Sequence, residues 1–157
     1  MYTTLQTTMK IYIGADHRGF PLKETLKAYL ATKNYELVDL GASQLEPQDD
    51  FVDFAKLVAV KVASDSESFG ILLCGSGAGM CIAANKVVGI SCAVGHSPQE
   101  IQAARHDDNI NVLSLPADYV SVEQAKAIID TFLTTAFASQ DRFLRRIAKI
   151  KELETNA

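Results

Sequence analysis

Residues 70–86 read GILLCGSGAGMCIAANK, and the fold is decided in this stretch. Gly70-Ile71-Leu72-Leu73 is a short apolar run of the kind that forms a strand buried on both faces, as strands of parallel sheets are. Three glycines then alternate with small residues in Gly75-Ser76-Gly77-Ala78-Gly79, and Met80 to Lys86 reads as a helix. Strand, glycine loop and helix together make an anion-binding arrangement, because the loop and first helical turn aim unpaired backbone N–H groups at one spot. Cys74 closes the strand where that spot begins, so the stretch predicts a reactive sulfur beside an oxyanion site. A cysteine at a strand end is commonly a small apolar packing residue. The chemistry is suggested by the combination of Cys74, alternating glycines and the Ser76 hydroxyl. The loop lacks the Gly-Lys-Ser/Thr of a phosphate-binding Walker loop, and its G-x-G-x-G spacing is not the dinucleotide G-x-G-x-x-G.

Outward from this centre, strands and helices alternate. Lys10 to Ile13 is a first strand, followed by Gly14-Ala15-Asp16-His17-Arg18-Gly19. Phe20 to Thr32 places Phe20, Leu22, Leu26 and Leu30 near one face, with Lys23 and Lys27 elsewhere, as an amphipathic helix requires. Tyr35 to Asp39 is a second strand, Gly41 to Asp50 a polar loop, and Asp53 to Ala63 a second helix. Beyond the centre come a strand at Ser91 to Val94 and a helix opening at Ser97-Pro98. Asn111 to Ser114 is a fifth strand. Val122 to Thr134 is a helix with Ser121 as N-cap, and a charged helix runs from about Gln140 to Glu154. This alternation predicts an α/β, three-layer, Rossmann-like fold: a five-stranded parallel sheet flanked by helices, plus a C-terminal helix. Residues 1–8 read as a disordered extension and 9–157 as a single domain. In such sheets ligands bind beyond the carboxyl ends of the strands, where the strand order reverses. Asp16-His17, Cys74, His96 and the Arg105 to Asn109 cluster are all expected to converge there.

Composition narrows the function. The 157 residues carry a net charge of −4, which argues against non-specific nucleic-acid binding. No apolar run approaches the roughly 20 residues of a membrane span, and Met1 to Thr8 has no signal-peptide core. Three cysteines, Cys74, Cys81 and Cys92, are an odd number without metal-ligand spacing, which suits reduced thiols in a cytoplasmic protein. A thiol, a hydroxyl, an oxyanion loop and an Asp-His pair suit proton transfer next to a carbonyl, as in an aldose–ketose isomerisation. Arg142 and Arg146, spaced i, i+4 on one face of the last helix, are candidates to hold a phosphate, though a basic helix is also an ordinary solvated surface.

Gly14-Ala15-Asp16-His17-Arg18-Gly19 and Cys74-Gly75-Ser76-Gly77-Ala78-Gly79-Met80, with Ala83-Ala84-Asn85-Lys86, closely resemble the type B ribose-5-phosphate isomerase family, which also includes galactose-6-phosphate isomerase subunits. The resemblance spans about residues 9 to 152. It implies a metal-free and cofactor-free cytoplasmic enzyme of the pentose phosphate pathway, a homodimer or tetramer, interconverting ribose 5-phosphate and ribulose 5-phosphate. It further implies Cys74 as the proton-shuttling base. Ser76 and the backbone of Gly75, Gly77, Ala78 and Gly79 would hold the reacting oxygens, Asp16 and His17 would bind substrate, and Arg142 and Arg146 would bind phosphate.

The chain also departs from the family pattern. The family's His-Asn-Asp-x-Asn-Val-Leu carries a ring-opening histidine and a substrate-binding asparagine. Counting back from Asn111-Val112-Leu113 puts Asp107 and Asp108 at those two positions, with His106 one place early. Either a local shift brings His106 into the site, or ring opening is done by another group or by solvent. A family arginine that helps hold phosphate falls on Asp118, an expected repulsive charge, and Asp-Tyr-Pro becomes Asp50-Phe51-Val52. The alternatives are an isomerase of another pentose or hexose phosphate, or a non-catalytic phosphosugar-binding or partner subunit.

Overall fold

Ile71, Leu72 and Leu73 are fully buried because the strand carrying them lies at the centre of the sheet with helices on both faces. The computed structural model describes residues 8–155. The expected extension at 1–8 therefore lies outside the described residues except for Thr8. The strands are β1 (Lys10–Ala15), β2 (Glu36–Asp39), β3 (Phe69–Cys74), β4 (Cys92–Val94) and β5 (Val112–Pro116), all parallel in the order β2-β1-β3-β5-β4. The helices are α1 (Phe20–Leu30), α2 (Phe51–Ala63), α3 (Ala78–Ala84), α4 (Pro98–Asp108), α5 (Val122–Thr134) and α6 (Asp141–Thr155). The predicted three-layer α/β fold is the one found.

Side chains alternate across the sheet, so each strand feeds two cores. Ile11, Ile13, Ile71, Leu73, Leu113 and Leu115 face one layer, where they pack on Leu22 and Leu26 of α1, Ile101 of α4 and Ile128 and Phe132 of α5. Tyr12, Leu72, Cys74 and Val112 face the other, against Val58 and Val62 of α2 and Met80 of α3. Each such aliphatic side chain taken fully out of water contributes about 1.5–3 kcal/mol. Two helix starts follow the sequence closely. Ser121 accepts from the Gln124 N–H while the Gln124 side chain accepts from the Ser121 N–H, and Ser97 accepts from the Glu100 N–H ahead of Pro98. Such caps satisfy N–H groups that the first helical turn leaves without partners.

Lys23 departs from the amphipathic reading of α1. It is fully buried, and its ammonium donates to both oxygens of Asp39 at the end of β2 and to the carbonyl of Ala42. One turn earlier, at the start of the helix, Gly19 lets the chain approach β3 closely: a Cβ there would sit 2.4 Å from the Leu73 carbonyl oxygen. From β1 the chain moves to β2 on one side, then crosses to β3 on the other. The strand order thus reverses between β1 and β3, and the residues following those two strands share one edge.

Candidate active site

At that edge lies a cleft of about 340 Å³ lined by Asp16, His17, Arg18, Phe51, Cys74, Gly75, Ser76 and Gly79. Cys74 is the last residue of β3 and is 5 % exposed. Its carbonyl accepts from the Ala117 N–H and the Gly75 carbonyl from the Asp118 N–H, so the start of the glycine loop is pinned to the chain leaving β5. Gly77 has φ +75°, a left-handed conformation that a side chain resists. Its carbonyl accepts a buried 2.7 Å hydrogen bond from the Ser114 hydroxyl. That bond turns the carbonyl into the protein, while the N–H groups that open α3 lack intrahelical acceptors. The Ser76 hydroxyl, exposed at the mouth, accepts from the Ala78 N–H at 3.3 Å.

On the β1 side, Oδ1 of the buried Asp16 accepts from the backbone N–H groups of Arg18 and Gly19, at 3.0 and 2.9 Å. This tight turn holds His17 and Arg18 over the cleft. Ring Nδ1 of His17 lies 2.7 Å from Asp49 Oδ1, and the same oxygen accepts from the His17 backbone N–H at 3.1 Å. Arg18 forms an ion pair with Asp118 that lies over Gly75. The expectation of an uncompensated carboxylate at Asp118 is thereby corrected, because a guanidinium from the opposite wall neutralises it. Phe51, in place of the family tyrosine, packs on Gly79, where a Cβ would meet the ring at 2.8 Å.

Cys74, Ser76, Asp16 and His17 line one cleft with Gly75 and Gly79, while Gly77 and Ala78 carry the loop into α3 behind them. His106, Asp108, Arg142 and Arg146 do not join them within one chain. After β4, helix α4 runs back across the sheet, so its end reaches the amino-terminal edge. Arg105 there lies over the ring of Phe69, the first residue of β3, 4.9 Å from its centroid. Cys74 is the last residue of that strand, about 16 Å away at ~3.3 Å per residue. His106 is bonded to Asp107 (2.6 Å) and stacks edge-on against Phe143 of α6. Asp108 is exposed at the same end. Helix α6 is anchored on that side at both ends, by Phe143 against His106 and by Glu154 accepting from the Gly89 N–H, and Arg142 and Arg146 are exposed along it. His96 follows β4 but does not line the cleft; its N–H donates to Glu100. Asn85, which follows α3, ties that helix to the edge strand, accepting from the Cys92 N–H (2.8 Å) and donating to the Cys92 carbonyl (3.0 Å).

Fold and cleft together define a class: a doubly wound α/β protein that sets a thiol and a glycine loop opposite an Asp-His pair at its switch point. Within that class, the chain belongs to the family described as Ribose/Galactose Isomerase, whose pattern matches residues 11–150. It is 42% identical over 148 residues to the probable ribose-5-phosphate isomerase B of Mycoplasma genitalium, covering 94% of this chain and 97% of that one. The crystal structure of ribose-5-phosphate isomerase B from the same organism, with bound ribulose-5-phosphate, superposes with a TM-score of 0.92 at 40% identity, covering 97% of this chain and all of that one. The Thermotoga maritima ribose 5-phosphate isomerase superposes with a TM-score of 0.88 at 44% identity, covering 93% and 99% of the two chains.

Proposed function

We propose that this chain is an aldose–ketose isomerase that interconverts ribose 5-phosphate and ribulose 5-phosphate, with Cys74 as the base. The observation that carries the reading is the placement of Cys74: a buried thiol at the end of the central strand, opening onto a glycine loop in a cleft shared with Asp16 and His17. The Cys74 thiolate takes the proton from C2 of the open-chain aldose and returns it to C1. The negative charge that develops across O1–C1–C2–O2 is met by the loop N–H groups and by Ser76, and the O2 proton passes to O1 by way of the Ser76 hydroxyl, so that the enediolate closes to the ketose. Asp16 and His17 hold the hydroxyls. No step of this scheme calls for a metal or a cofactor.

The phosphate needs more cations than one chain brings to its own cleft, where Arg18 is already paired with Asp118. A second copy is the source the reading favours. Arg142 and Arg146 on the exposed face of α6, and His106 and Asp108 beside it, would enter the neighbour's cleft in a homodimer or tetramer. Residues 9–157 would act as one domain, in the cytoplasm, where three free thiols persist. The test is conversion by the purified chain of a panel of pentose and hexose phosphates. Turnover of ribose 5-phosphate that is lost in Cys74→Ala supports the reading. Turnover of a hexose phosphate alone changes the substrate, and turnover of none rejects it.

A further inference from the structure

The scheme above uses Cys74 and leaves the other two thiols without a task. Cys81, midway along α3, and Cys92, the first residue of β4, are 11 residues apart in the chain and side by side in space. As a thiol, Cys81 donates to the Cys92 carbonyl at 3.3 Å. The two sulfurs also share a hydrogen bond of their own, which the Cys92 thiol donates when Cys81 is ionised. Asn85, one helical turn beyond Cys81, holds the pair in place. Its Oδ1 accepts from the Cys92 N–H (2.8 Å), and its Nδ2 donates to the Cys92 carbonyl (3.0 Å) and to Cys81 Sγ (3.5 Å).

Packing alone does not account for this arrangement. A cysteine that only fills space needs no polar donor aimed at its sulfur. Cys81 has two, the Cys92 thiol and the Asn85 amide, and both favour the thiolate over the thiol. When Cys81 gives up its proton, the Cys92 carbonyl keeps the hydrogen bond from Asn85, so no acceptor is orphaned. The hydrogen bond from Cys92 lowers the Cys81 thiol to about 7, against burial and with help from the Asn85 amide. The same bond, together with burial, pushes the Cys92 thiol up. Cys81 is partly exposed, and Cys92 lines a cavity of about 510 Å³. An ionised, accessible sulfur with a second thiol against it is the pattern of a nucleophile and its resolving partner.

We propose that Cys81 and Cys92 are a modification site, a thiol pair that a hydroperoxide converts to a reversible disulfide. The Cys81 thiolate attacks the terminal oxygen of the peroxide. An S–O bond forms, the O–O bond breaks, and the departing oxygen takes a proton from solvent to leave as water or an alcohol. The Cys92 thiol then attacks the sulfenic sulfur of Cys81. The S–S bond forms, the S–O bond breaks, and the hydroxide released takes the Cys92 proton and leaves as water. One peroxide is reduced and two thiols are oxidised; a small dithiol reverses the change by exchange. In a reducing compartment the pair rests as the two thiols found here, and the disulfide is transient. The bond would fasten α3, which opens from the glycine loop, to the edge strand where Asn85 now holds it by hydrogen bonds. The inference requires neither the isomerase reading nor a second copy.

The test adds a slight excess of hydrogen peroxide to the reduced native chain and counts its thiols after unfolding. The count should fall from three to one, and dithiothreitol should restore it. Mass spectrometry should find the peptides of Cys81 and Cys92 joined, and non-reducing electrophoresis should show single chains. Three surviving thiols, a pair that includes Cys74 or a bond between two chains overturns the proposal. The variants assign the roles. Cys92→Ser should retain a sulfenic acid on Cys81 that dimedone traps, and Cys81→Ser should give no such adduct on Cys92. An adduct on Cys92 alone overturns Cys81 as the nucleophile. Should either variant fail to fold, the thiol count of the unaltered chain decides.

Discussion

Cys74 sits in the second core as well as in the cleft, so its two roles separate by substitution. Cys74→Ala should lower turnover about 10²–10⁴-fold, the usual contribution of a positioned proton-transfer group. Loss of the small buried sulfur should cost only about 1 kcal/mol in a denaturant titration. A variant that keeps its rate would return Cys74 to packing alone. Arg18 and Asp118 make a second test at this scale. Both are partly solvated, so a double-mutant cycle on stability should give about 0.2–1 kcal/mol of coupling. On substrate binding, Arg18→Ala should weaken affinity for a phosphosugar more than the Arg18→Ala/Asp118→Ala pair does, because only the single variant leaves a bare carboxylate at the cleft. Equal losses would place the pair outside substrate's reach. The Cys74 motif and Asp16-His17 were legible in the sequence because each directly follows an apolar strand run. The contact of Asp49 with His17 was not, since it comes from how the loop at 40–50 folds back over β1, and nothing in Glu46-Pro47-Gln48-Asp49 announces a histidine 32 residues earlier.

Among elements, the joint between α1 and β2 depends on acidity. Burial pushes the Asp39 carboxyl up, but the hydrogen bonds it accepts from Lys23, Lys27 and the Gly41 N–H outweigh this and hold it below its ordinary 3.8. A carboxyl depressed in the folded state contributes stability that is present above 3.8 and is lost as pH falls through the lower folded value. The melting temperature should therefore drop on acidification below about pH 4, and Asp39→Asn should flatten that part of the curve; an unchanged slope would put the acid sensitivity elsewhere. Lys23 escaped the sequence reading because amphipathic spacing scores a lysine as solvated, whereas its stem here crosses the core to a carboxylate on another element. Helix α6 makes the opposite case. Leu144, Ile150 and Leu153 are 47, 51 and 71 % exposed, and Ile150 and Leu153 line a cavity of about 510 Å³ with Val88 and Ile90. Ile150 and Leu153, three residues apart, share one face of this charged helix, and that face suits burial by another copy. Leu153→Asp should shift sedimentation toward monomer and reduce activity while far-UV dichroism stays native; an active monomer would refute the shared site.

For the whole molecule, alternating runs were enough to read five strands, their parallel pairing and the edge at which the cleft opens. They could not supply the order β2-β1-β3-β5-β4, which depends on which apolar faces pack across long separations. Nor did they show that α4 carries His106 away from the edge where it begins, because the sequence places a residue near a strand in order but not at one end of it in space. The order has a consequence in time as well as in space. β3 is hydrogen-bonded on both sides, to β1 and β5, and covered by both cores. Its amides should open only with the whole molecule, so residues 71–74 should be the last to exchange with deuterium, at a free energy near that of global unfolding. The loop at 75–79 should exchange by smaller openings, and early exchange of β3 would contradict this. A thiol fixed to the slowest-opening segment keeps its position through many turnovers, while the walls that must admit and release sugar fluctuate around it.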